Sequence, residues 1–221
     1  MSSRRPESEL LRSLRDSGIE ASRLEQLVRD PAARRYHAVR VALAAHPATP
    51  RREALALVST LFWRGLARLS ADARVHPEVR RAADRDLLRR LPEMALAERV
   101  DLARTVGRGT LLQLRFDPDP RVLAAFLDNR FTTEPDVVQA AAHSGAGEAS
   151  VGLIAEHPRW VLRASVRSAL LRNPRLPAPL ALGLLIRATA EDLEGLTLSP
   201  TASPLLKACA ERVLAERLGR D

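Results

Sequence analysis

Prolines divide most of this 221-residue chain into segments of similar length. Four prolines each begin an apolar, arginine-rich segment, and a second proline follows each of them 15 or 16 residues later. The pairs are Pro31 with Pro47, Pro77 with Pro92, Pro120 with Pro135, and Pro158 with Pro174. The first prolines of these pairs are 46, 43 and 38 residues apart. A period of this length is typical of stacked helix pairs, so it favours a repeat architecture over one globular core.

The core must be built from aliphatic side chains, because hydrophobic residues make up 46% of the chain and aromatic residues only 3%. Leucine, alanine and valine suit closely packed helices, since alanine lets neighbouring backbones approach and has the highest helix propensity. Few segments alternate with the period of two that half-buried strands require. The sequence therefore predicts an all-α fold.

Each repeat is predicted to hold a first helix, a tight turn and a second helix. In the first repeat we expect a helix over about 31–45, a turn over 46–50, and a second helix with Thr49 as N-cap and Pro50 at its first position. The second helix should be long, because apolar residues recur along it at three- and four-residue steps. These residues are Ala54, Leu57, Val58, Leu61, Phe62, Leu66 and Leu69.

The repeats are expected to span residues 31–200. Residues 1–30 should form one or two N-terminal capping helices and residues 201–221 a C-terminal capping helix, all within one continuous domain. Capping boxes, in which a hydroxyl and an acidic side chain close a helix start, are predicted at three places. They are Ser22 with Glu25, Thr133 with Asp136, and Thr189 with Asp192.

No targeting or membrane segment is evident in the sequence. The N-terminal residues lack the apolar stretch of a signal peptide. The longest apolar run, around Leu180 to Ile186, is far shorter than the roughly 18–20 residues that span a bilayer. Cys209 is the only cysteine, so no disulfide can form within the chain. We therefore expect a cytoplasmic protein with no membrane partner.

Two segments resemble the beginnings of HEAT-like repeats. They are Asp117-Pro118-Asp119-Pro120-Arg121-Val122 and His76-Pro77-Glu78-Val79-Arg80-Arg81-Ala82-Ala83. The turns at 46–50 (HPATP) and 173–177 (NPRLP) are similar to those of the leucine-rich repeat variant, a bacterial α-solenoid family. The resemblance covers about residues 30–200. It implies a right-handed α-solenoid of about four helix pairs, whose curved and often concave surface binds a protein or a nucleic acid.

No motif of a known catalytic, cofactor or metal site is present. Gly107 and Gly109 lack the third glycine and the preceding strand of a dinucleotide fingerprint, and no P-loop, nucleophile elbow or zinc motif occurs. His46, His76 and His157 each precede a proline at a helix boundary, which favours a role in satisfying helix ends over metal ligation. We predict no catalytic, cofactor-binding or metal-binding residues, no cofactor and no small-molecule substrate.

Rows of arginines are the strongest candidates for a binding surface. The net charge is +8, and the excess lies in residues 1–116, which carry 23 basic and 14 acidic side chains against 12 and 13 in residues 117–221. Two trios of arginines at four-residue steps are each expected to lie along one helix face, about 6 Å apart per step. The trios are Arg81, Arg85 and Arg89, and Arg159, Arg163 and Arg167.

These arginines have three possible roles. They could contact a protein partner, or successive phosphates of a nucleic acid. The alternative is an outer polar row neutralised by acidic neighbours, for which Glu78, Asp84 and Asp86 are close enough in sequence to pair with the first trio.

Two classes of function therefore stay open. The first is a non-enzymatic scaffold or adaptor that binds a protein partner on its curved surface. The second is a nucleic-acid-binding protein that uses its basic N-terminal half. Because some HEAT-like proteins are DNA glycosylases for alkylated bases, the resemblance also leaves an enzymatic form of the second class open. Phe62, Phe126 and Phe131 fall on predicted apolar faces and so do not favour base stacking.

Overall fold

All regular secondary structure in the chain is helical. The computed structural model describes residues 6–15, 19–200 and 202–219, and these residues form sixteen α-helices and a 3₁₀ turn over Leu91–Glu93, with no strand. The helices are α1 (Glu7–Ser13), α2 (Ala21–Arg29), α3 (Pro31–Arg34), α4 (His37–Ala45), α5 (Arg51–Val58), α6 (Trp63–Ala71), α7 (Pro77–Arg90), α8 (Leu96–Thr105), α9 (Arg108–Leu114), α10 (Pro120–Asp128), α11 (Glu134–Ala142), α12 (Glu148–Glu156), α13 (Ala164–Leu171), α14 (Ala178–Leu185), α15 (Ala190–Leu198) and α16 (Pro204–Leu218). The all-α prediction is confirmed.

The chain divides into two compact units, unit 1 (Met1–Leu111) and unit 2 (Leu112–Asp221). In unit 1, α4 packs on α6 and α6 on α8, while α5 packs on α7. In unit 2, α10 packs on α12, α12 on α14 and α14 on α16, while α11 packs on α13. Helices two apart in the sequence therefore lie side by side in both units. The single continuous domain stays a prediction.

The repeat boundaries predicted from the prolines are wrong, because the predicted repeats hold more than two helices each. Residues 31–76 hold four helices, α3 to α6, and residues 77–119 hold three, α7 to α9. From α4 to α16 the starts of successive helices are 12 to 19 residues apart, and most often 14. The proline period missed the separate helix α6, because α6 begins without a proline in its first two positions. A proline helps a helix to start but is not required for it.

A turn interrupts the helix predicted to run past Phe62. Helix α5 ends at Val58, and the next two hydroxyls bind its last carbonyls: Ser59 Oγ donates to Ala56 O (3.1 Å) and Thr60 Oγ1 to Leu57 O (2.7 Å). Serine and threonine compete with helical hydrogen bonding in this way and so end helices. Of the apolar residues predicted to share the buried face, Phe62 is 65% exposed, whereas Leu61, Leu66 and Leu69 are buried.

The predicted caps are partly confirmed. The capping boxes that begin α11 and α15, at Thr133 and Thr189, are present. The box at Ser22 is wrong, because α2 begins at Ala21 and the Ser22 hydroxyl bonds to the Glu20 carboxylate instead (3.2 Å). The Thr49 cap is also wrong: α5 begins at Arg51 behind Pro50, and within the described chain the buried Thr49 hydroxyl has no hydrogen-bond partner. The predicted first helix over 31–45 divides into α3 and α4.

A five-residue loop joins successive helices in both units. It occurs at 46–50, 72–76, 129–133, 143–147 and 173–177, and in each case the fourth N–H donates to the first carbonyl at 3.0–3.1 Å. In four of these loops the first side chain also accepts a hydrogen bond from the third N–H at 2.8–3.2 Å. The four side chains belong to His46, Asp72, Asn129 and Asn173. A polar side chain that closes its own turn fixes the direction of the next helix.

The histidines that precede prolines act at helix ends, as predicted. Nδ1 of His76 accepts from the N–H of Glu78 (3.2 Å) in the first turn of α7. Nδ1 of His157 accepts from the N–H of Arg159 (3.3 Å), where α12 has ended. These are the bonds that aspartate makes at Asp30 and Asp119 in equivalent positions. An imidazole nitrogen that carries no proton accepts a hydrogen bond as a carboxylate oxygen does, so these histidines take the place of aspartates in this role.

Side chains from later segments close the carboxyl ends of earlier helices. The indole N–H of Trp160 donates to Leu127 O (2.9 Å), and the Asn173 amide to Ala141 O (2.6 Å). Arginines bind carbonyls of the segments that follow helices: Arg90 donates to Leu61 O after α5 (2.9 Å), and Arg217 donates to Ala188 O after α14 (2.7 Å). The partners are 29 to 33 residues apart. Carbonyls at helix ends and in the segments that follow them are thus satisfied by side chains from later in the chain.

Leu61 and Phe62 provide a direct test of this arrangement, because they are adjacent but only 1% and 65% exposed. Leu61→Ala should lower the free energy of unfolding by about 2–5 kcal/mol, since it leaves a cavity in a packed core. Phe62→Ala, the matched control, should cost less than about 1 kcal/mol. Denaturant titration followed by circular dichroism measures both. A loss below about 0.5 kcal/mol for Leu61→Ala would show that its face is not packed.

Candidate binding groove

Helices α5 and α7 lie side by side in unit 1 and run in the same direction. An ion pair between Arg51 and Glu78 (3.1 Å) joins their amino ends, and Ser59 and Arg89 lie together at their carboxyl ends. Between the helices is an open cavity of about 280 Å³. We call it the α5–α7 groove; its lining residues are Leu55, Val58, Ser59, Ala82, Arg85, Asp86 and Arg89.

The first arginine trio lies on the outer face of α7, as predicted. Val79, Ala83 and Leu87 are buried and hold the inner face of the helix against the rest of unit 1. Arg81, Arg85 and Arg89 are exposed, because each lies two residues beyond one of these buried positions, about 200° around the helix. Two of the three, Arg85 and Arg89, line the groove.

Asp84, one of the carboxylates expected to neutralise the trio, instead accepts hydrogen bonds on the inner side of α7. It accepts hydrogen bonds from Ser70 Oγ (2.6 Å), from Thr110 Oγ1 (2.7 Å) and from the Thr110 N–H (3.1 Å). Gly109 permits this approach, because a Cβ there would collide with the Asp84 carboxylate. Asp84 is therefore a structural anchor within unit 1 and does not pair with the arginines outside.

Asp86 is the acidic residue that does pair with the trio. Its two carboxylate oxygens bind Arg89 and Arg90, and the hydrogen bond to Asp86 raises the pKa of Arg89 above its usual value. Arg81 and Arg85, by contrast, make no ion pair with any residue that the structure describes. The outer face of α7 thus keeps two cations whose charge is not compensated by a bonded carboxylate.

The groove combines three chemical features in one place. Its floor is aliphatic, formed by Leu55, Val58 and Ala82. The guanidinium of Arg85 supplies an unpaired positive charge at its edge. The Asp86 carboxylate and the Ser59 hydroxyl supply acceptors, since Ser59 already donates its own proton to Ala56 O. This arrangement suits a ligand that carries an anionic group, an apolar side chain and N–H donors.

The second arginine trio does not form a row. Residues 157–163 are a turn, and α13 begins only at Ala164, so Arg159 and Arg163 precede the helix that holds Arg167. The Pro158 turn closed by His157 explains the difference, since it occupies the positions where a helical start was predicted.

Each member of the second trio is also engaged within unit 2. Arg159 stacks on the Trp160 ring, with its guanidinium carbon 4.1 Å from the ring centroid. Arg163 Nε lies 3.7 Å from a Glu134 carboxylate oxygen. Arg167 donates to the carbonyls of the preceding turn at 2.8 and 3.1 Å. The three are not presented together to a ligand, although a binding role for them individually stays a prediction.

Sequence reasoning missed a contact between His37 and Phe62. His37 Nε2 accepts the Phe62 N–H (3.1 Å), and the two rings lie 4.8 Å apart between centroids. Burial lowers the pKa of His37 below its usual value, and the positive charges of Arg40 and Arg68 lower it further. Gly65 packs against the imidazole, where a Cβ would come within 2.9 Å of the ring. A 25-residue separation gives no local signal that could have revealed the pair.

Within the described ranges, no group of three or more His, Cys, Asp and Glu side chains could hold a metal ion. No helix in that part of the chain is long and apolar enough to cross a membrane.

Comparison with known proteins gives no match: no family model fits the sequence, no curated protein is significantly similar, and no solved structure is significantly similar in fold. The resemblance to HEAT-like repeats thus rests on the sequence motifs alone.

The lowered pKa of His37 predicts a pH-dependent stability. The neutral ring is the form that accepts the Phe62 N–H, so its contribution is present above the ordinary histidine pKa and is lost as the pH falls through the lowered one. The wild type should therefore lose more unfolding free energy than His37→Gln when the pH falls from about 7.5 to about 5.5. Denaturant titrations at the two pH values measure this difference. Equal losses in the two proteins would contradict it.

Proposed function

We propose that this chain is a non-enzymatic α-solenoid scaffold of the HEAT-like type that binds a protein partner at the α5–α7 groove. Support for the solenoid comes from the side-by-side packing of helices two apart and from the recurring five-residue loops. Repeats that contact only their neighbours leave long helix faces available for binding. The observation that carries the binding proposal is the unpaired Arg85 beside an aliphatic floor.

The composition of the groove favours a protein ligand. Arginine is enriched at the centres of protein interfaces, because it combines an apolar stem with a planar array of donors. Leu55 and Val58 give that stem and a partner side chain a surface to pack on. A protein also supplies N–H donors for Asp86 and Ser59, which would otherwise face a ligand without matching groups.

Nucleic-acid binding is the second candidate, and the charge of the first half of the chain favours it. Residues 1–116 carry nine more basic than acidic side chains. Against it, Asp86 lies within the arginine row and repels phosphates. The tryptophans are already engaged, since Trp160 is buried and Trp63 donates to Glu98 (3.0 Å) and has the Arg64 guanidinium over its ring. The protein reading therefore has the stronger support.

The test replaces the arginine trio and follows what co-purifies with the chain. Arg81→Ser, Arg85→Ser and Arg89→Ser together should reduce recovery of a stoichiometric protein from the native host lysate by at least about tenfold, because the groove loses its cations. Mass spectrometry quantifies the recovered protein. The control carries the same charge change at exposed arginines outside the groove: Arg34→Ser, Arg175→Ser and Arg187→Ser.

Three outcomes decide between the candidates. Loss of the protein in the trio variant and its retention in the control support the scaffold. Equal recovery in both variants would exclude the groove as the docking site. Recovery of nucleic acid alone, with a salt-dependent affinity that falls in the trio variant, would contradict the scaffold and support the second candidate.

A further inference from the structure

We propose that the α5–α7 groove binds an extended acidic peptide segment, in which a carboxylate pairs with Arg85 and a neighbouring aliphatic side chain packs on Leu55, Val58 and Ala82. This inference rests on the proposed protein-binding function and specifies the chemistry of the partner. The segment is identified by charge complementarity to the groove and not by its sequence.

The cationic side of the groove is suited to a carboxylate. Arg85 lines the cavity, and no carboxylate in the described chain forms an ion pair with it. Arg81, one helical turn earlier, likewise forms no ion pair in the described chain, while Arg89 is paired with Asp86. A guanidinium can bind both oxygens of a carboxylate through parallel N–H donors, which gives directional as well as charge recognition. Arg85 is therefore the principal anchor and Arg81 a second position for an acidic residue.

The size and floor of the groove suit a side chain better than a nucleotide strand. The volume of about 280 Å³ is roughly that of nine water molecules, enough for one or two peptide side chains. The groove is open to solvent and lies between two helices that run in the same direction, so an extended segment can lie along it. Leu55, Val58 and Ala82 provide contact for an aliphatic group, for which a phosphodiester backbone has no equivalent.

The acceptors in the groove also favour a peptide over a phosphodiester backbone. Asp86 and Ser59 present oxygen acceptors beside Arg85, and peptide N–H groups can donate to them. A phosphodiester carries only acceptors, and its charge would lie next to the Asp86 carboxylate. An exposed ion pair by itself adds little affinity, so the apolar floor must contribute as well. The ligand therefore needs both an acidic and an aliphatic residue.

Four fluorescein-labelled probes test this requirement with the purified full-length chain by fluorescence anisotropy. The first is a peptide of alternating glutamate and leucine, flanked by glycine and serine. The second replaces its glutamates by glutamine, the third replaces its leucines by serine, and the fourth is a single-stranded thymidine oligonucleotide. We expect the glutamate–leucine peptide to bind at least about tenfold more tightly than each of the other three.

Arg85→Gln then locates the site, because it removes the charge while keeping a long helix-forming side chain. It should lower the affinity for the glutamate–leucine peptide at least about fivefold and leave the affinity for the glutamine–leucine peptide unchanged, since the lost pairing is specific to the carboxylate. Arg34→Gln, at an exposed arginine on α3, is the matched control and should leave the affinity for both peptides unchanged.

Several results would overturn the inference. They are absence of binding by the glutamate–leucine peptide, equal binding of the serine-substituted peptide, unchanged affinity in Arg85→Gln, and tighter binding of the oligonucleotide that is lost in Arg85→Gln. The proposed function fails separately, when co-purification of a protein does not depend on the arginine trio. A protein that co-purifies in a trio-dependent manner, while the glutamate–leucine peptide does not bind, contradicts this inference alone.

Discussion

Short helices are the constraint on which the structure depends. Most helices here have seven to ten residues, a length at which an isolated helix is only marginally stable in water. Each also leaves four carbonyls without an internal partner at its end. Neighbouring segments supply the missing bonds: Trp160 closes α10, and Asn173 closes α11. The carboxyl ends of α10 and α11 are therefore completed by side chains 33 and 32 residues further along the chain, and the stability of these helices depends on those contacts.

This mode of construction divides the arginines into two groups with different roles. Arg90, Arg167 and Arg217 donate to backbone carbonyls between helices, so they help to hold the connecting segments in place. Arg81 and Arg85 project outward and make no such contact in the described structure. The net positive charge is therefore only partly available for binding. The α5–α7 groove is a candidate site because uncompensated charge and an aliphatic floor meet there, and not because the first half of the chain is basic as a whole.

Local rules predicted the features that depend on a few adjacent residues. The all-α class and the capping boxes at Thr133 and Thr189 follow from helix propensity and end chemistry. Features set by distant contacts were not predictable in this way. The bond from the Phe62 N–H to His37 joins residues 25 apart, and the bond from Trp160 to Leu127 O joins residues 33 apart. The number of helices was underestimated, since prolines mark only some helix starts.

The central claim is that short helices are completed by segments later in the chain, and hydrogen exchange in Asn173→Ala tests it most directly. The substitution removes the donor to Ala141 O while leaving the apolar core intact. We expect amide exchange to accelerate at the carboxyl end of α11 and in the loop at 173–177, with α15 and α16 unchanged. A uniform acceleration over all of unit 2, or no change at α11, would contradict the claim that contacts with later segments stabilise these helices.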